Sequence, residues 1–382
     1  MKSPTSKTLG QTRLRPVAGL ATLALIFAAC GGGGDDAADT TVAAKIEEST
    51  TTSTTEKATT TTEAKESSTT STTVPVTPRQ PLTGQPLESA DEIIDRAAMV
   101  VKIDNVSARQ NHTGLAVADI VFEEIVEGDA TRFAAVFHSQ SSDPIGPIRS
   151  GRTQDVNLFT SFNTPLFVWS GGNAGVTFQI NESSLINMSP SKASGYYRGP
   201  GSAPHNLYNN TDGLWAQTPE DQPGAPGQQY VYLEEGEQFE GDATSGVDLR
   251  VGHVRVEWDW NEETGKFDRS QDGSLHKDKT HGQIAASNVV IMGVQYQPSV
   301  VDRRSPEAQT IGEGPAFIFS DGQMIEGTWW REFNFFPIEF RDADGEPIAL
   351  SVGNTWIELA REVPTFDPEK TGVDMIIKPP AS

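Results

Sequence analysis

The chain is almost without cysteine: Cys30 is the only one in 382 residues. No intrachain disulfide can form, and no paired-thiol redox or metal motif exists. Positive charge is scarce as well, with 29 Lys and Arg against 52 Asp and Glu, a net −23. That balance excludes bulk attraction to nucleic acid, and any anionic ligand needs a local basic pocket within an acidic surface. Long apolar runs are missing too. The longest, Val17 to Phe27, is broken by Gly19 and Thr22 and is too short to span a bilayer. No GxSxG elbow, HExxH, CxxC or EF-hand spacing occurs, so no metal and no cofactor is expected.

What the sequence does contain begins with an address. Lys2, Lys7, Arg13 and Arg15 precede the apolar run, which is the charge order of a secretory signal peptide. The run ends in "FAAC", which resembles the bacterial lipobox, with Phe27 where Leu is usual. In that reading residues 1–29 are removed, Cys30 is lipidated, and the protein sits on the extracytoplasmic face of the cell membrane. The alternative is an ordinary signal peptide cut nearby, with Cys30 a chance thiol. Cleavage removes four cations, leaving 25 Lys and Arg against 52 Asp and Glu, or −27. Residues 30–80 read as a tether: from Thr40 to Thr77, 21 of the 38 residues are Ser or Thr. So few apolar side chains cannot offset the entropy of ordering. A flexible chain of this length spans on the order of 35–42 Å.

Folded material starts near Pro81. "AMVVKID" (98–104) reads as a buried strand, and "ADIVFEEIVEG" (118–128) with "TRFAAVFHS" (131–139) reads as an antiparallel hairpin. Gly151 to Phe162 has Val156, Phe159 and Phe162 spaced for a helix, and "PLFVWSGG" (165–172) is a further strand. Two prolines and two glycines in 222–229 mark a boundary between halves. Beyond it "VGHVRVEWDW", "NVVIMGVQY", "PAFIFS", "TWWREF" and "TWIELA" are strand-like, with hairpin chemistry in "SDGQ" and "DADGE". The expected fold is α+β: a mixed or antiparallel-sheet N-terminal domain with a few helices (81–221), then a β-rich C-terminal domain (230–378).

"PLTG", "KIDN", "ADIVFEEIVEGDATRF", "IGPIRSGR" and "APHNLY" follow in order, then "RSQDGSLHKD", "NVVIM", "TWWRE" and "GNTWIEL". Together they resemble the YerB-like lipoproteins of Gram-positive bacteria, a family of unknown function with separate N- and C-terminal domains. The resemblance spans residues 81–361. It implies a membrane-anchored envelope protein and supplies no reaction.

The candidate site centres on "IGPIRSGR" (145–152). Arg149 and Arg152 precede an expected helix start, where cations are electrostatically disfavoured and anions are bound. Arginine forks there suit an anionic oxygen cluster. Ser150 reads as a helix cap rather than a nucleophile, although His205 and Asp104 complete a nominal triad. Glu123 and Glu127, placed on one face of the 118–128 strand, are expected either to neutralise Arg132, Arg149 and Arg152 or to join them around a ligand. As a glycosidase pair they fail: four strand residues separate Cα atoms by roughly 13 Å, against carboxyl separations of about 5.5 to 9.5 Å. His205 and Asn206 in "APHNLY" and His276 and Asp278 in "HKD" complete the ligand-binding candidates. If the chain is catalytic, His205, Asp104 and Glu127 are the acid–base candidates. Two readings follow: a non-enzymatic module binding an anionic cell-wall glycan or an envelope protein, or an envelope hydrolase cutting a glycosidic or phosphodiester bond. Trp329, Trp330 and Trp356 read as core, with Trp330 alone suited to sugar stacking if exposed.

Overall fold

The computed structural model describes residues 77–106, 111–362 and 375–380. The expected signal peptide, Cys30 and nearly all of the tether lie outside the described residues. Strands account for 39% and helices for 11%, so the fold is α+β and β-rich.

The strand-like runs of both halves build one mixed sheet of eleven strands. From the first half come β1 (Met99–Asp104), β2 (Ile120–Ile125), β3 (Thr131–Phe137), β4 (Leu166–Val168) and β5 (Ile186–Asn187). Three strands, β6 (Gly246–Val251), β7 (Val254–Asn261) and β8 (Lys266–Gln271), form the centre of a second, smaller sheet. The main sheet then resumes with β9 (Asn288–Val294), β10 (Gly312–Ser320), β11 (Gln323–Arg331), β12 (Glu339–Arg341) and β13 (Thr355–Arg361). Its order is β12-β11-β10-β9-β13-β2-β3-β1-β4-β5, with Asp242–Ala243 pairing off β11. Because β13 lies parallel to β2, the sheet passes unbroken from one half of the sequence to the other. The "EGDA" turn joins β2 and β3 as an antiparallel pair, as the sequence indicates. "SDGQ" closes the β10–β11 hairpin, with Asp321 and Gly322 both at positive φ, the geometry of a type I′ turn.

Both faces of the sheet are covered, which is why "MVVKID" and "IVFEEI" read as continuous buried runs rather than alternating ones. Period two sends Val101, Ile103, Val121 and Phe133 against Val247, Val256 and Trp258 of the second sheet. It sends Val100, Phe122, Ala134 and Val136 against α1 (Gln154–Phe159) and α2 (Ala174–Asn181). Three layers result, helices over sheet over sheet. The expected helix from Gly151 to Phe162 is shorter in fact: α1 occupies six residues and a single 3₁₀ turn, Thr160–Phe162, completes it. Trp329 and Trp356 are buried, and Arg341 stacks over the half-buried Trp330 at 4.0 Å.

Candidate functional site

The central strands carry charged side chains into both interior layers. In register, Asp104 on β1 faces Arg132 on β3, and Arg132 faces Glu124 on β2. Alternation places this row of three on the helix side of the sheet. The "IGPIRSGR" segment docks along the free edge of β1: Asp104 N donates to Pro147 O at 2.9 Å and Arg149 N to Lys102 O at 2.8 Å. That docking brings Arg149 and Arg152 beside the row.

Asp104 is fully buried and meets one arginine and one histidine. His205 Nδ1 lies 2.5 Å from its Oδ2 and Arg149 Nε 3.3 Å from its Oδ1. Since the carboxylate accepts, His205 donates through Nδ1–H, from a side chain 29% exposed. Arg132 donates from Nη1 to Ser150 O at 2.9 Å, and Arg152 from Nη1 to Gly151 O at 2.7 Å. Arg152 Nη2 pairs with Glu127. Burial would raise the Glu127 carboxyl, but the hydrogen bond and charge of Arg152 hold it below its ordinary value. Burial, reinforced by repulsion from Arg152 and Arg149, pulls the Arg132 guanidinium down to about 9.

Two observations define what this arrangement can do. Among the described residues, three guanidiniums (Arg132, Arg149, Arg152) meet only two carboxylates, Asp104 and Glu127. The Nε atoms of all three arginines are buried and make no hydrogen bond. Arg149 Nε is near enough to Asp104 for Coulomb attraction but not aligned with it. Buried donors normally find acceptors, so three together with an excess positive charge favour an added anionic oxygen group. Beside them Lys102 contacts Glu124 and lies 2.8 Å from Asp155. This neighbour has the opposite imbalance, one ammonium against two carboxylates, so the whole patch balances while the arginine end stays one charge positive. Burial, opposed by Asp155, brings the Lys102 ammonium down to about 8.

Several sequence expectations need correction. Glu123 and Glu127 do not share a strand face: β2 ends at Ile125, Glu127 sits in the following turn, and Glu123 points to the opposite layer. Ser150 does not cap α1, whose N-cap position is Thr153 with no side-chain cap bond; Ser150 contributes its carbonyl instead. No hydrogen bond among the described residues links the Ser150 hydroxyl to His205, so no triad forms. Asn206 is nearly buried and ties its own loop, donating to Gly199 O and Gly201 O and accepting from Arg198. Asp278 accepts from the backbone of Thr280 and His281, so "HKD" is not a histidine–carboxylate unit.

His276 belongs to a second network, between the two sheets. Its partner there, Arg269, is fully buried, pairs with Glu123 and lies 3.7 Å from Glu358. Glu123 and Glu358 are register partners on adjacent parallel strands. Burial, then the charge of Glu123, pushes the Glu358 carboxyl well above its ordinary value. That direction favours the protonated form of Glu358 beside Glu123. The histidines extend this network. His112 Nε2 lies 2.5 Å from Asp104 O, an acceptor, and so bears a hydrogen. Arg269 Nη1 lies 2.6 Å from His276 Nδ1, which must then accept. The link of 2.8 Å between His276 Nε2 and His112 Nδ1 thus runs from His276 as donor to His112 as acceptor. One directed chain joins Arg269 to the Asp104 backbone.

Lys102, Glu124, Asp155, Arg269, Glu358 and His112 are residues that sequence reasoning passed over. A signal existed for one: Lys102 stands inside "AMVVKID", read as a buried strand, where a charge needs a partner. Nothing local marked Arg269.

A mixed sheet covered on both faces, with charge clusters in each layer, is the frame of a protein family still without an assigned activity. Residues 82–224 match the family described as "Protein of unknown function (DUF3048) N-terminal domain" and residues 247–357 match its C-terminal domain. The chain belongs to this family. It is 28% identical over 305 residues to "Putative lipoprotein YerB" of Bacillus subtilis (strain 168), covering 76% of this chain and 87% of that protein. The crystal structure of YerB protein from Bacillus subtilis superposes with a TM-score of 0.64 at 25% identity, covering 78% of this chain and 99% of that one.

Proposed function

We propose that the protein is a lipid-anchored component of the extracytoplasmic face of the cell membrane, and that its arginine cluster binds an anionic oxygen group of an envelope ligand. The anchor is supported by the basic and apolar N-terminus ending in Cys30, and by a relative whose name describes a lipoprotein. No helix among the described residues is long and apolar enough to cross a membrane. The observation that carries the binding reading is the set of three buried, unpartnered Nε atoms on Arg132, Arg149 and Arg152. Phosphate and carboxylate groups on a wall glycan, or on an envelope protein, present the oxygens this cluster lacks.

A second reading has its own support. The Asp104–His205 pair at 2.5 Å orients an imidazole beside the arginines, as general acid–base chemistry requires. With guanidiniums to steady developing charge, that is a partial frame for hydrolysis of a phosphodiester or glycosidic bond. Binding is the better-supported function, because it rests on three buried Nε atoms and the acid–base reading on one pair. The test is thermal unfolding of the protein and of Arg149→Ala with phosphate-bearing and carboxylate-bearing wall fragments. A ligand at a hundred times its Kd stabilises the native state by about 2.7 kcal/mol. Stabilisation of the native protein alone supports the cluster; equal stabilisation of both proteins rejects it.

A further inference from the structure

At the β11–β12 turn, far in sequence from the arginine cluster, Phe333, Phe335 and Phe336 are 48%, 57% and 44% exposed. Large apolar rings in solvent are ordinarily folded inward or tolerated singly. Here three lie together: Phe333 and Phe335 stack at 5.4 Å, and Phe335 and Phe336 meet at 4.7 Å. Beside them a hollow of about 310 Å³ is lined by Tyr230, Val231, Phe336, Ile338 and Ile348, and Val231 is itself half exposed.

The turn is held in this form from beneath. Arg331 is fully buried, and its guanidinium donates to Phe336 O at 2.7 Å and to Asn334 O at 2.6 Å, on either side of Phe335. Its remaining donors reach Asn157 O and Ser161 Oγ, fastening the turn to the α1 segment. Asn334 adds a bond to the Asn157 side chain at 3.2 Å. A buried cation spent on the carbonyls of one exposed turn fixes the backbone so that the rings remain outward.

The occupant follows from where the rest of the chain attaches. Thr77 and Arg79, among the first described residues, line a hollow with Leu233 and Val352. Leu233 donates to Leu350 O, and Leu350 to Val231 O, so this attachment point adjoins the strip that borders the phenylalanine face. Residues 31 to 76 separate Cys30 from Thr77. On the tether reading of the sequence, a linker of that length spans roughly 35–40 Å, and linkage over such distances gives effective concentrations in the millimolar range. Weak apolar docking is populated under those conditions. Glu332 and Glu339, both exposed, flank the turn, and Glu339 is paired with Arg341 at 2.6 Å.

We propose that the Phe333–Phe336 face docks on the membrane that anchors the chain, its rings entering the headgroup–acyl boundary of zwitterionic rather than anionic lipid. This rests on the lipid-anchor reading above. The test uses the secreted polypeptide, residues 30–382, carrying Cys30→Ser so that no lipid contributes. It is mixed with phosphatidylcholine vesicles and sedimented. Partition to the vesicles is expected, falling at least tenfold in the Phe333→Ser, Phe335→Ser, Phe336→Ser variant and severalfold in Phe335→Ser alone. Melting temperature should be unchanged, because the rings are exposed. Phosphatidylglycerol vesicles should bind more weakly, with the deficit narrowing as salt screens Glu332 and Glu339. Equal partition of parent and variants, or no partition of the parent at millimolar lipid, would overturn the proposal. The mass of the N-terminal peptide of cell-made protein tests the anchor separately: an unmodified Cys30 removes the anchor and leaves the vesicle result standing on its own.

Discussion

Replacing Glu358 by Gln tests where the proton of the inter-sheet network resides. The Glu358 side chain accepts from Trp258 Nε1 at 3.0 Å, and a protonated Glu358 can also donate to Glu123, whose charge adds to burial in raising its carboxyl. A glutamine amide has the same shape and reproduces both roles, accepting through Oε1 and donating through Nε2. The unfolded chain differs, because there the Glu358 carboxyl ionises near its ordinary 4.5. A carboxyl raised on folding means that the native state binds the extra proton, so stability is fully present below the unfolded value and falls as pH rises toward the folded one. At pH 7 the loss is bounded by the distance from the ordinary value and is on the order of 3 kcal/mol at most. Glu358→Gln removes this loss. Urea unfolding at several pH values should show near equality with the native protein at pH 4.5 and a growing advantage for the variant, up to about 3 kcal/mol, at pH 7. Glu123→Gln should behave oppositely, costing about 3–5 kcal/mol, since it strips the buried Arg269 of its ionised partner. Equal destabilisation by the two substitutions, with no dependence on pH, would refute a proton on Glu358.

Other consequences follow from the same contacts. Lys102→Met leaves Glu124 and Asp155 buried without their cation and should cost about 3–5 kcal/mol, measured by urea unfolding, with recovery when Glu124→Gln and Asp155→Asn are added. Arg132→Met relieves a desolvated cation repelled by Arg152 and Arg149, and should raise stability in anion-free buffer by on the order of 1 kcal/mol, read by urea unfolding. Gly246→Ala should be severely destabilising, because a Cβ there meets the Trp258 carbonyl and φ is +135°; loss of tryptophan fluorescence cooperativity on heating is the readout.

Much of the architecture was legible because period-two patterning and turn chemistry are local properties. "SDGQ" and "EGDA" mark their hairpins by residue type alone, and the continuous apolar runs of β1 and β2 announce strands covered on both faces. The single sheet running through both halves was not legible, since the parallel pairing of β2 with β13 joins residues more than two hundred apart and leaves no local mark. The site divides the same way. "IGPIRSGR" and "APHNLY" gave Arg149, Arg152 and His205, whose charge in loops is conspicuous. Glu127 was misplaced because β2 stops at Ile125, so extending the strand to Glu127 put it on the face that Glu123 shares with Val121 and Ile125. Arg269 and Glu358 stayed hidden because each alternates regularly within its own strand, and only the packing of one sheet on another brings them together.

The proposal that the arginine cluster binds an anionic oxygen is most directly tested by nitrogen-15 NMR of arginine side chains during titration with inorganic phosphate. The Nε–H resonances of Arg132, Arg149 and Arg152 should move together and saturably, with His205 following through Asp104, while those of Arg269 and Arg331 stay fixed. If all five arginines are unmoved at millimolar phosphate, or if the exposed Arg304 and Arg361 respond instead, the cluster is an internal ion-pair network and not a binding site.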